Sequence, residues 1–505
     1  MDYLTIFLAL IPVLMLIVML GFLKVPGDKS ALIALITTAA LSLLGFKFSL
    51  GSIGLSIVFG ALKALFPIIL IIIMAIYSYN VLLFTKKMDV LKHQFSNISS
   101  DKCIQVLLLT WGFGGLLEGM AGFGTAVAIP AAILIGLGYK PLFSALVSLL
   151  SNSVPTAFGA VGVPVKAIAV EIGHANLQQL GSEVVFQLIP LMLLIPFIIV
   201  FLTDSSLKAL PKNIFLSIVV GGVSIVVQYY SVIYIGVETP AVLGSIASII
   251  VIVIWGKLTA PKKDSGNDAE SISTQKIINA WAVYGLILIL IIGTSPLFGQ
   301  FRAFLQSISA TPINLTINNS VKTVKIYWLT DGGFLLFLGS VIGGLLQGAS
   351  FGDLMKELGR TILSLKKTYI TVISLIALST IMDLSGMVAV LGLALATATG
   401  AFYPLFAPAI GCLGAFLTGS DTSSNILFGK LQASVAQQIG EKPSWLAAAN
   451  TVGATGGKII SPQSIIIATS ACHQQGKEGD IMKKALPYAI FYIIVAGLMV
   501  YFFGK

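Results

Sequence analysis

Three acidic side chains stand in stretches of sequence that are otherwise apolar. They are Glu118 in the string EGMAGFG, Asp383 in MDLSGM and Asp421 in TGSDTSSN. A charged side chain in hydrocarbon costs about 3 kcal/mol on insertion scales, so each acid needs a reason to be there. Burial favours the uncharged form of a carboxyl group, and such a group can exchange a proton near neutral pH. We interpret all three as candidate proton-coupling residues. Two alternatives stay open: Glu118 could cap a broken helix, and Asp421 could coordinate a cation.

Short polar side chains cluster around interruptions of the same apolar stretches. Pro155 interrupts one helix and frees nearby backbone groups, and the start of the next half-helix would offer N–H groups and a positive dipole end to a carboxylate. The alternative is a kinked packing helix whose hydroxyls bond back to their own backbone. The candidate substrate-binding residues are Ser151, Asn152, Ser153, Thr156, Ser424, Asn425, Asn450, Thr451 and Lys458.

Arginine, the usual clamp for a carboxylate, is absent from these clusters. The chain has two arginines, Arg302 and Arg360, and both lie elsewhere. An anion must therefore be held by helix ends, hydroxyls, amides or a lysine. Lys458 is the first candidate, and Lys166 is the second, although Lys166 could instead extend to a membrane interface.

The composition requires a membrane. Of 505 residues, 57% are hydrophobic and only 10% are charged, and the mean hydropathy is +0.99. The net charge of +10 comes from lysines in short gaps between apolar runs, which is the pattern of cytoplasmic loops rather than of a nucleic-acid groove. The three cysteines and three histidines have no metal-ligand spacing. We expect no metal, no cofactor and no nucleic-acid partner.

The order of apolar runs predicts an all-α polytopic membrane protein with about 12–14 transmembrane helices, including broken helices or re-entrant hairpins. A polar loop at 257–276 separates two halves, 1–256 and 277–505, and alternating charge and leucine at 353–367 predicts an interfacial amphipathic helix. Nine runs are long enough, or nearly so, to span a bilayer: about 2–23, 30–46, 64–84, 183–203, 213–235, 238–256, 280–298, 329–348 and 485–503.

Two zones, about 103–176 and 368–475, are apolar but broken by Gly, Pro, Ser, Thr and Asn. Paired interruptions in two halves indicate the binding site of a secondary transporter. Gly-Met, Pro-Leu-Phe, Ser-Asn and Phe-Gly occur in the same order in both zones, which predicts a two-fold internal repeat. When the helices are counted along the chain, both zones begin on the cytoplasmic side. The two zones of an inverted repeat would begin on opposite sides. The sequence leaves that relation open.

Four strings, EGMAGFGTAVAIPAAILIGLGYKPL, NSVPTAFGAVGVPV, GSDTSSNILFGKLQ and AANTVGATGGKIISPQS, resemble the lactate permease family. The resemblance implies a bacterial cytoplasmic-membrane carrier of L-lactate, with D-lactate and glycolate, driven by proton symport. It also implies membership of a wider ion-transporter superfamily, in which a scaffold supports a moving, elevator-type domain with two re-entrant hairpins. Polar hairpin tips of that superfamily resemble Ser151-Asn152-Ser153 and Ser424-Asn425, with Ser153 at a position where threonine is expected.

Three other functions are compatible with parts of this pattern. A sodium-coupled mono- or dicarboxylate carrier is the nearest, since Asp421 and its hydroxyl neighbours could hold Na⁺. An anion channel would more often show rings of like charge or a carbonyl filter. A membrane enzyme would need a nucleophile with its base, and the sequence offers no such set. We therefore expect a carrier rather than an enzyme, with lactate or a similar monocarboxylate, protons and the bilayer as its partners.

Overall fold

The computed structural model describes residues 3–23, 25–96, 99, 101–122, 124–174, 176–259, 273–317, 320–474 and 477–504. Most of the predicted loop at 257–276 falls on residues 260–272, outside these ranges. Within them, eleven helices are long and apolar enough to cross a membrane, or twelve if one bent pair counts as a single span. The predicted all-α polytopic fold is confirmed.

The N-terminal elements form two spans and a longer, interrupted one. The predicted run at 64–84 is the second part of this longer span, which begins at Leu50. The elements are α1 (Tyr3–Ile17) with a π-helical end (Val18–Phe22), α2 (Gly27–Gly45), α3 (Leu50–Lys63), a π-helical turn (Ala64–Ile69), α4 (Leu70–Phe84) and α5 (Lys87–Ser96).

The first broken zone folds into a helical hairpin followed by a bent helix. Asp101 begins it, because its carboxylate accepts hydrogen bonds from the N–H groups of Cys103 and Ile104, at 3.0 and 3.2 Å. The elements are α6 (Lys102–Leu107), a π-helical segment (Leu108–Gly114), α7 (Gly115–Met120), α8 (Thr125–Gly136), α9 (Pro141–Thr156) and α10 (Gly159–Ile172).

Hairpin A comprises α6 to α8. Its two open ends meet where the Tyr139 hydroxyl donates to the Gln105 amide oxygen at 2.8 Å. Nearly all of its first arm, Lys102–Met120, is buried in protein, which is the condition under which irregular backbone is tolerated at membrane depth. Broken helix A comprises α9 and α10, which meet at an angle of 51°.

The middle of the chain adds four candidate spans, one shorter apolar helix, a β-hairpin and an amphipathic helix. The amphipathic helix was predicted at 353–367 and occupies Phe351–Ser364, with Ser350 as its cap. The elements are α11 (Leu177–Thr203), α12 (Leu210–Tyr234), α13 (Pro240–Thr259), α14 (Thr274–Gly293), a 3₁₀ turn (Pro296–Phe298), α15 (Gly299–Ser309), β1 (Ala310–Ile317), β2 (Ser320–Tyr327), α16 (Gly332–Leu346) and α17 (Phe351–Ser364). Strands β1 and β2 pair antiparallel, with Ala310 opposite Tyr327.

The second broken zone contains another hairpin and another interrupted helix. Its elements are α18 (Lys366–Leu384), α19 (Met387–Thr399), a 3₁₀ turn (Gly400–Phe402), α20 (Tyr403–Thr418), α21 (Asp421–Ile439), α22 (Pro443–Ile460), α23 (Pro462–Ala471) and α24 (Glu478–Phe503). Hairpin B comprises α20 and α21, whose arms are joined where the Tyr403 hydroxyl donates to Gln432 at 2.9 Å. Broken helix B comprises α22 and α23, interrupted at Ser461.

The open ends of the two hairpins lie at opposite ends of the molecule. Helix α24 connects the two ends: at its start, Lys477 and Lys484 share a groove with Lys140, beside the open end of hairpin A. At its far end, Tyr501 stacks on Phe402, beside the open end of hairpin B. The Pro-Leu-Phe strings of the proposed repeat begin α9, half of a broken helix, and α20, an arm of a hairpin. The internal repeat stays a prediction.

Candidate functional site

A cavity of about 350 Å³, the central cavity, lies where both hairpin tips meet the interruptions of both broken helices. All four polar clusters of the sequence contribute to it, although they are up to 340 residues apart. Its wall includes Glu118, Gly122, Gly124, Thr156, Gly159, Thr418, Ser420, Asp421, Lys458 and Gln463. The structure therefore brings the predicted Glu118, Thr156, Asp421 and Lys458 together.

An ion pair crosses the central cavity. The Lys458 ammonium donates to Glu118 Oε1 at 2.9 Å and to Thr156 Oγ1 at 3.3 Å. The Lys458 and Glu118 side chains are 11% and 3% exposed, so the pair is held away from solvent. The second carboxylate oxygen of Glu118 is buried and has no hydrogen-bond partner among the described residues. The pair thus has an unused acceptor on one side and an ammonium that borders open space on the other.

Asp421 is the second acid of this cavity and is buried. It is the first residue of α21, but Ser420 takes the capping role by accepting a hydrogen bond from the N–H of Ser423 at 3.2 Å. Both carboxylate oxygens of Asp421 are left without a partner among the described residues. A buried carboxylate in this condition requires a proton, a cation or a donor from a ligand.

Besides its lysines, the cavity has a second source of positive electrostatic potential, the N-termini of three helices. Helices α8, α21 and α23 all begin at its wall, where Gly124, Asp421 and Gln463 line it. Ser461 Oγ caps α23 by accepting from the N–H of Ser464 at 3.2 Å. The N–H groups and dipoles of helix N-termini favour a bound anion.

The start of α10 is strained beside the same cavity. Ala160, Val161 and Gly162 have φ values of 44°, 58° and 75°, a left-handed turn that costs free energy in residues with a side chain and is typical of functional sites. The preceding Gly159 allows close approach, since a Cβ there would lie 2.7 Å from Glu118 Oε1. The interruption therefore seats the Glu118 carboxylate directly against backbone.

The predicted amide residues form a packing network next to the cavity rather than its wall. Asn450 donates to Asn425 Oδ1 at 2.9 Å, and Asn425 donates to the Pro164 carbonyl at 3.1 Å. The Ser424 hydroxyl donates to the Gly411 carbonyl at 2.7 Å. These bonds join hairpin B to both broken helices, and a direct substrate contact for these residues stays a prediction.

Most of the polar residues on α9 bond within their own helix. Ser151 donates to the Ser148 carbonyl at 3.1 Å, and Ser153 donates to the Leu150 carbonyl at 2.7 Å, as the back-bonding alternative expected. Asn152 donates to Thr156 Oγ1 at 3.2 Å and so supports the residue that contacts Lys458. On α22, the Thr451 hydroxyl is buried without a partner among the described residues.

Two further candidates lie away from the central cavity. Asp383 pairs with Lys430 at 2.8 Å and is 45% exposed, at the wall of a different cavity. Lys166 pairs with Glu238 at 2.9 Å. Neither side chain reaches the Glu118–Lys458 pair, and the coupling role of Asp383 stays a prediction.

Sequence reasoning missed several residues of the cavity wall. Asp28 of α2 and Thr371 of α18 line it, and their local sequence carries no sign of this position. Gln463 also lines the cavity, and a signal for it existed, because Ser461 followed by Pro462 is the pattern of a helix start.

Similarity to known proteins identifies the family of this chain. The family model described as L-lactate permease matches residues 5–504. This chain belongs to the L-lactate permease family. An L-lactate permease of Streptococcus iniae is 39% identical over 87% of this chain and 93% of its own length. The glycolate permease GlcA of Escherichia coli K12 is 32% identical over 97% of this chain and 94% of its own.

Similarity to solved structures is weaker. The Alcanivorax borkumensis YdaH transporter matches with a TM-score of 0.47 and 14% identity, over 86% of this chain and 84% of that one. Membership of the L-lactate permease family, together with eleven or twelve candidate spans in the described part of the chain, makes this protein a multi-pass bacterial membrane transporter. The central cavity is therefore a permease cavity, bordered by an ion pair and by helix ends.

Proposed function

We propose that this permease is a secondary active transporter that carries L-lactate, with D-lactate and glycolate, together with a proton across the cytoplasmic membrane. Its relatives are named for lactate and glycolate, which are small 2-hydroxy monocarboxylates. One observation carries the assignment of the site: at the wall of the central cavity, the Lys458 ammonium donates to Glu118 Oε1 at 2.9 Å. During transport, the Lys458 ammonium releases the Glu118 carboxylate and binds the carboxylate of the substrate instead.

The exchange gives a physical reason for proton coupling. When a lactate carboxylate binds Lys458, Glu118 loses its cation and lies beside another anion in a buried site. Uncompensated buried charge of this kind costs several kcal/mol, and a proton on Glu118 removes the cost. Asp421, with both oxygens unpartnered among the described residues, is the second place for a proton. Substrate and proton therefore bind together and leave together.

The remaining polar groups orient the substrate. The N-termini of α8, α21 and α23 point positive dipole ends at the carboxylate. Thr156, held by Asn152 at 3.2 Å, offers a hydroxyl next to Lys458 for the substrate's own hydroxyl group.

We also propose that the halves 1–256 and 277–505 are an inverted repeat, with the hairpins and broken helices as the moving, elevator-type unit. Entry of the two hairpins from opposite ends supports the inverted relation. Hairpin A with broken helix A would then correspond to hairpin B with broken helix B.

Uptake of labelled lactate into proteoliposomes tests the proposal, with pH and sodium gradients imposed separately. We expect accumulation with the pH gradient alone, and inhibition by excess glycolate. Accumulation that follows only the sodium gradient would contradict proton symport, and uptake of succinate without lactate would contradict the substrate. Conductance without saturation would indicate a channel.

A further inference from the structure

A second cavity, of about 750 Å³, lies beyond the central one. It is bordered by the end of α10, by α19 and α21, and by strand β2. Its charged side chains are Lys63, Glu171, Lys325, Asp383 and Lys430. The established family and the proposed function assign it no role.

The two cavities lie along the same helices. On α10, Gly159–Pro164 faces the central cavity and Ala169–Ile172 faces the second. On α21, Asp421–Ser423 faces the central cavity and the second cavity begins at Lys430. At 1.5 Å per residue, these intervals correspond to about 8 Å on α10 and about 10 Å on α21. The second cavity therefore lies close to the proposed substrate site along both helices.

A thin packed layer separates them. Asn425 donates across it to the Pro164 carbonyl at 3.1 Å. Gly429 and Ile168 meet so closely that a Cβ on Gly429 would lie 2.9 Å from Ile168 Cγ1. Asn425 and Ile168 are both fully buried. A solute that leaves the central cavity along α10 and α21, once this layer opens, arrives in the second cavity.

The two ion pairs of the second cavity differ in how firmly they are held. Glu171 is fully buried and pairs with Lys63 at 3.3 Å, and its other oxygen accepts from the Ser379 hydroxyl at 2.6 Å. Lys430 is only 12% exposed, whereas its partner Asp383 is 45% exposed. An ion pair with a half-exposed carboxylate contributes little to stability, so Asp383 can release Lys430 to another anion.

The charge of the cavity suits a monoanion. Three lysines face two acids on its wall, which leaves an excess of one positive charge. Lys325 comes from β2 and is exposed, so it can meet a solute entering from outside. We propose that the second cavity is a binding site for a small monocarboxylate, with Lys430 as its anchor and Lys325 at its entrance, loaded before or after the central site. The identity of the ligand rests on the proposed function.

Equilibrium binding of labelled L-lactate to the full chain in lipid nanodiscs tests this. We expect two lactate molecules per chain. Lys430→Gln and Lys458→Met should each leave one, and the double variant none. Lys484→Gln, a lysine of the opposite end, is the matched control and should keep two. Asp383→Asn should tighten the second site about threefold, because it frees Lys430 without removing the anchor.

A second measurement leaves Lys430, the proposed anchor, in place. Ser434 lines the second cavity, and a maleimide should label Ser434→Cys more slowly when lactate is present, also in the Lys458→Met background. One lactate per chain, lost in Lys458→Met and kept in Lys430→Gln, would overturn the second site and leave the proposed function standing. No lactate binding at either site, with no uptake, would instead contradict the proposed function.

Discussion

The two cavities of this permease have opposite charge balances. The central cavity has three acids, Asp28, Glu118 and Asp421, against Lys367 and Lys458. The second cavity has three lysines against two acids. A monocarboxylate can therefore enter the second cavity with its charge already matched, whereas in the central cavity it adds to an excess of negative charge. From this difference we expect proton coupling in the central cavity rather than at Asp383, because the central acids must be neutralised before the anion is stable.

Removal of the central ammonium should have the largest effect. Lys458→Met deprives both Glu118 and the substrate of their cation, and we expect lactate uptake to fall at least 100-fold, about 3 kcal/mol. Initial rates in proteoliposomes measure this. Glu118→Gln with Lys458→Met relieves the buried charge, and should restore protein yield without restoring uptake. Recovered uptake in the double variant would show that Lys458 serves only to neutralise Glu118.

Removal of one central acid should separate transport from coupling. Asp421→Asn keeps the shape of the site but cannot carry the proton, so we expect at least a tenfold loss of accumulation driven by a pH gradient. Counterflow of labelled against unlabelled lactate should persist. Asp383→Asn is the matched control in the other cavity and should keep accumulation. Equal losses in both variants would contradict the contrast between the cavities.

A methyl group placed against the Glu118 carboxylate should have a smaller effect on lactate uptake. A methyl group at Gly159 would lie 2.7 Å from Glu118 Oε1, so Gly159→Ala displaces the ion pair without removing a charge. We expect about a tenfold fall in uptake. Gly136→Ala, where a Cβ meets nothing within 4 Å, should leave uptake unchanged. Unaltered uptake in Gly159→Ala would mean that the close approach is not needed.

The composition of the central cavity could be predicted in part from the sequence because charged side chains are costly in apolar stretches. Glu118, Asp421 and Lys458 are such charges, and the structure brings all three to one cavity. The interruption after Thr156 was expected from Pro155, whereas the one at Ser461 was missed although Ser461 and Pro462 signal a helix start. These are local signals, and the tertiary fold agrees with them.

Asp383 shows that local sequence signals do not predict which residues reach the central cavity. Gly386, three residues after Asp383, begins α19 with φ 88°, and Gly124, six residues after Glu118, begins α8 with φ 88°. Each acid therefore precedes a left-handed glycine at the start of a helix, but only one of the two turns is a hairpin tip at the cavity. Which turn reaches the cavity depends on the packing of distant helices, which the motif does not encode.

Asn425 shows a second limit of prediction from sequence, which is how far a cavity extends along a helix. It lies one helical turn after Asp421, on the same side of α21, and polar side chains at both positions suggest one continuous site. In the structure Asp421 borders the cavity, whereas Asn425 is a turn deeper and bonds to the Pro164 carbonyl at 3.1 Å. Helical spacing predicts a face, but the position at which the cavity ends along that face is set by the partner helix.

Truncation of Asn425 should therefore reduce stability more than binding. Asn425→Ala removes the donor to the Pro164 carbonyl and one acceptor of the Asn450 amide, at a cost of about 1–3 kcal/mol. Thermal unfolding of the purified protein should shift downward, with the KM for lactate changed less than threefold. A large KM increase at unchanged stability would instead place Asn425 in the substrate site, as the family resemblance implies.

The smallest expected effect distinguishes two hydroxyls of α9. Ser151 donates to its own helix at 3.1 Å, whereas Thr156 lies 3.3 Å from the Lys458 ammonium. We expect Ser151→Ala to keep uptake within twofold, because the hydroxyl that is lost bonds to a backbone carbonyl of its own helix. Thr156→Ser, which keeps the hydroxyl, should also be mild, and Thr156→Ala should raise the KM for lactate several-fold. If Ser151→Ala raises the KM as much as Thr156→Ala does, the substrate site extends along α9 beyond the central cavity.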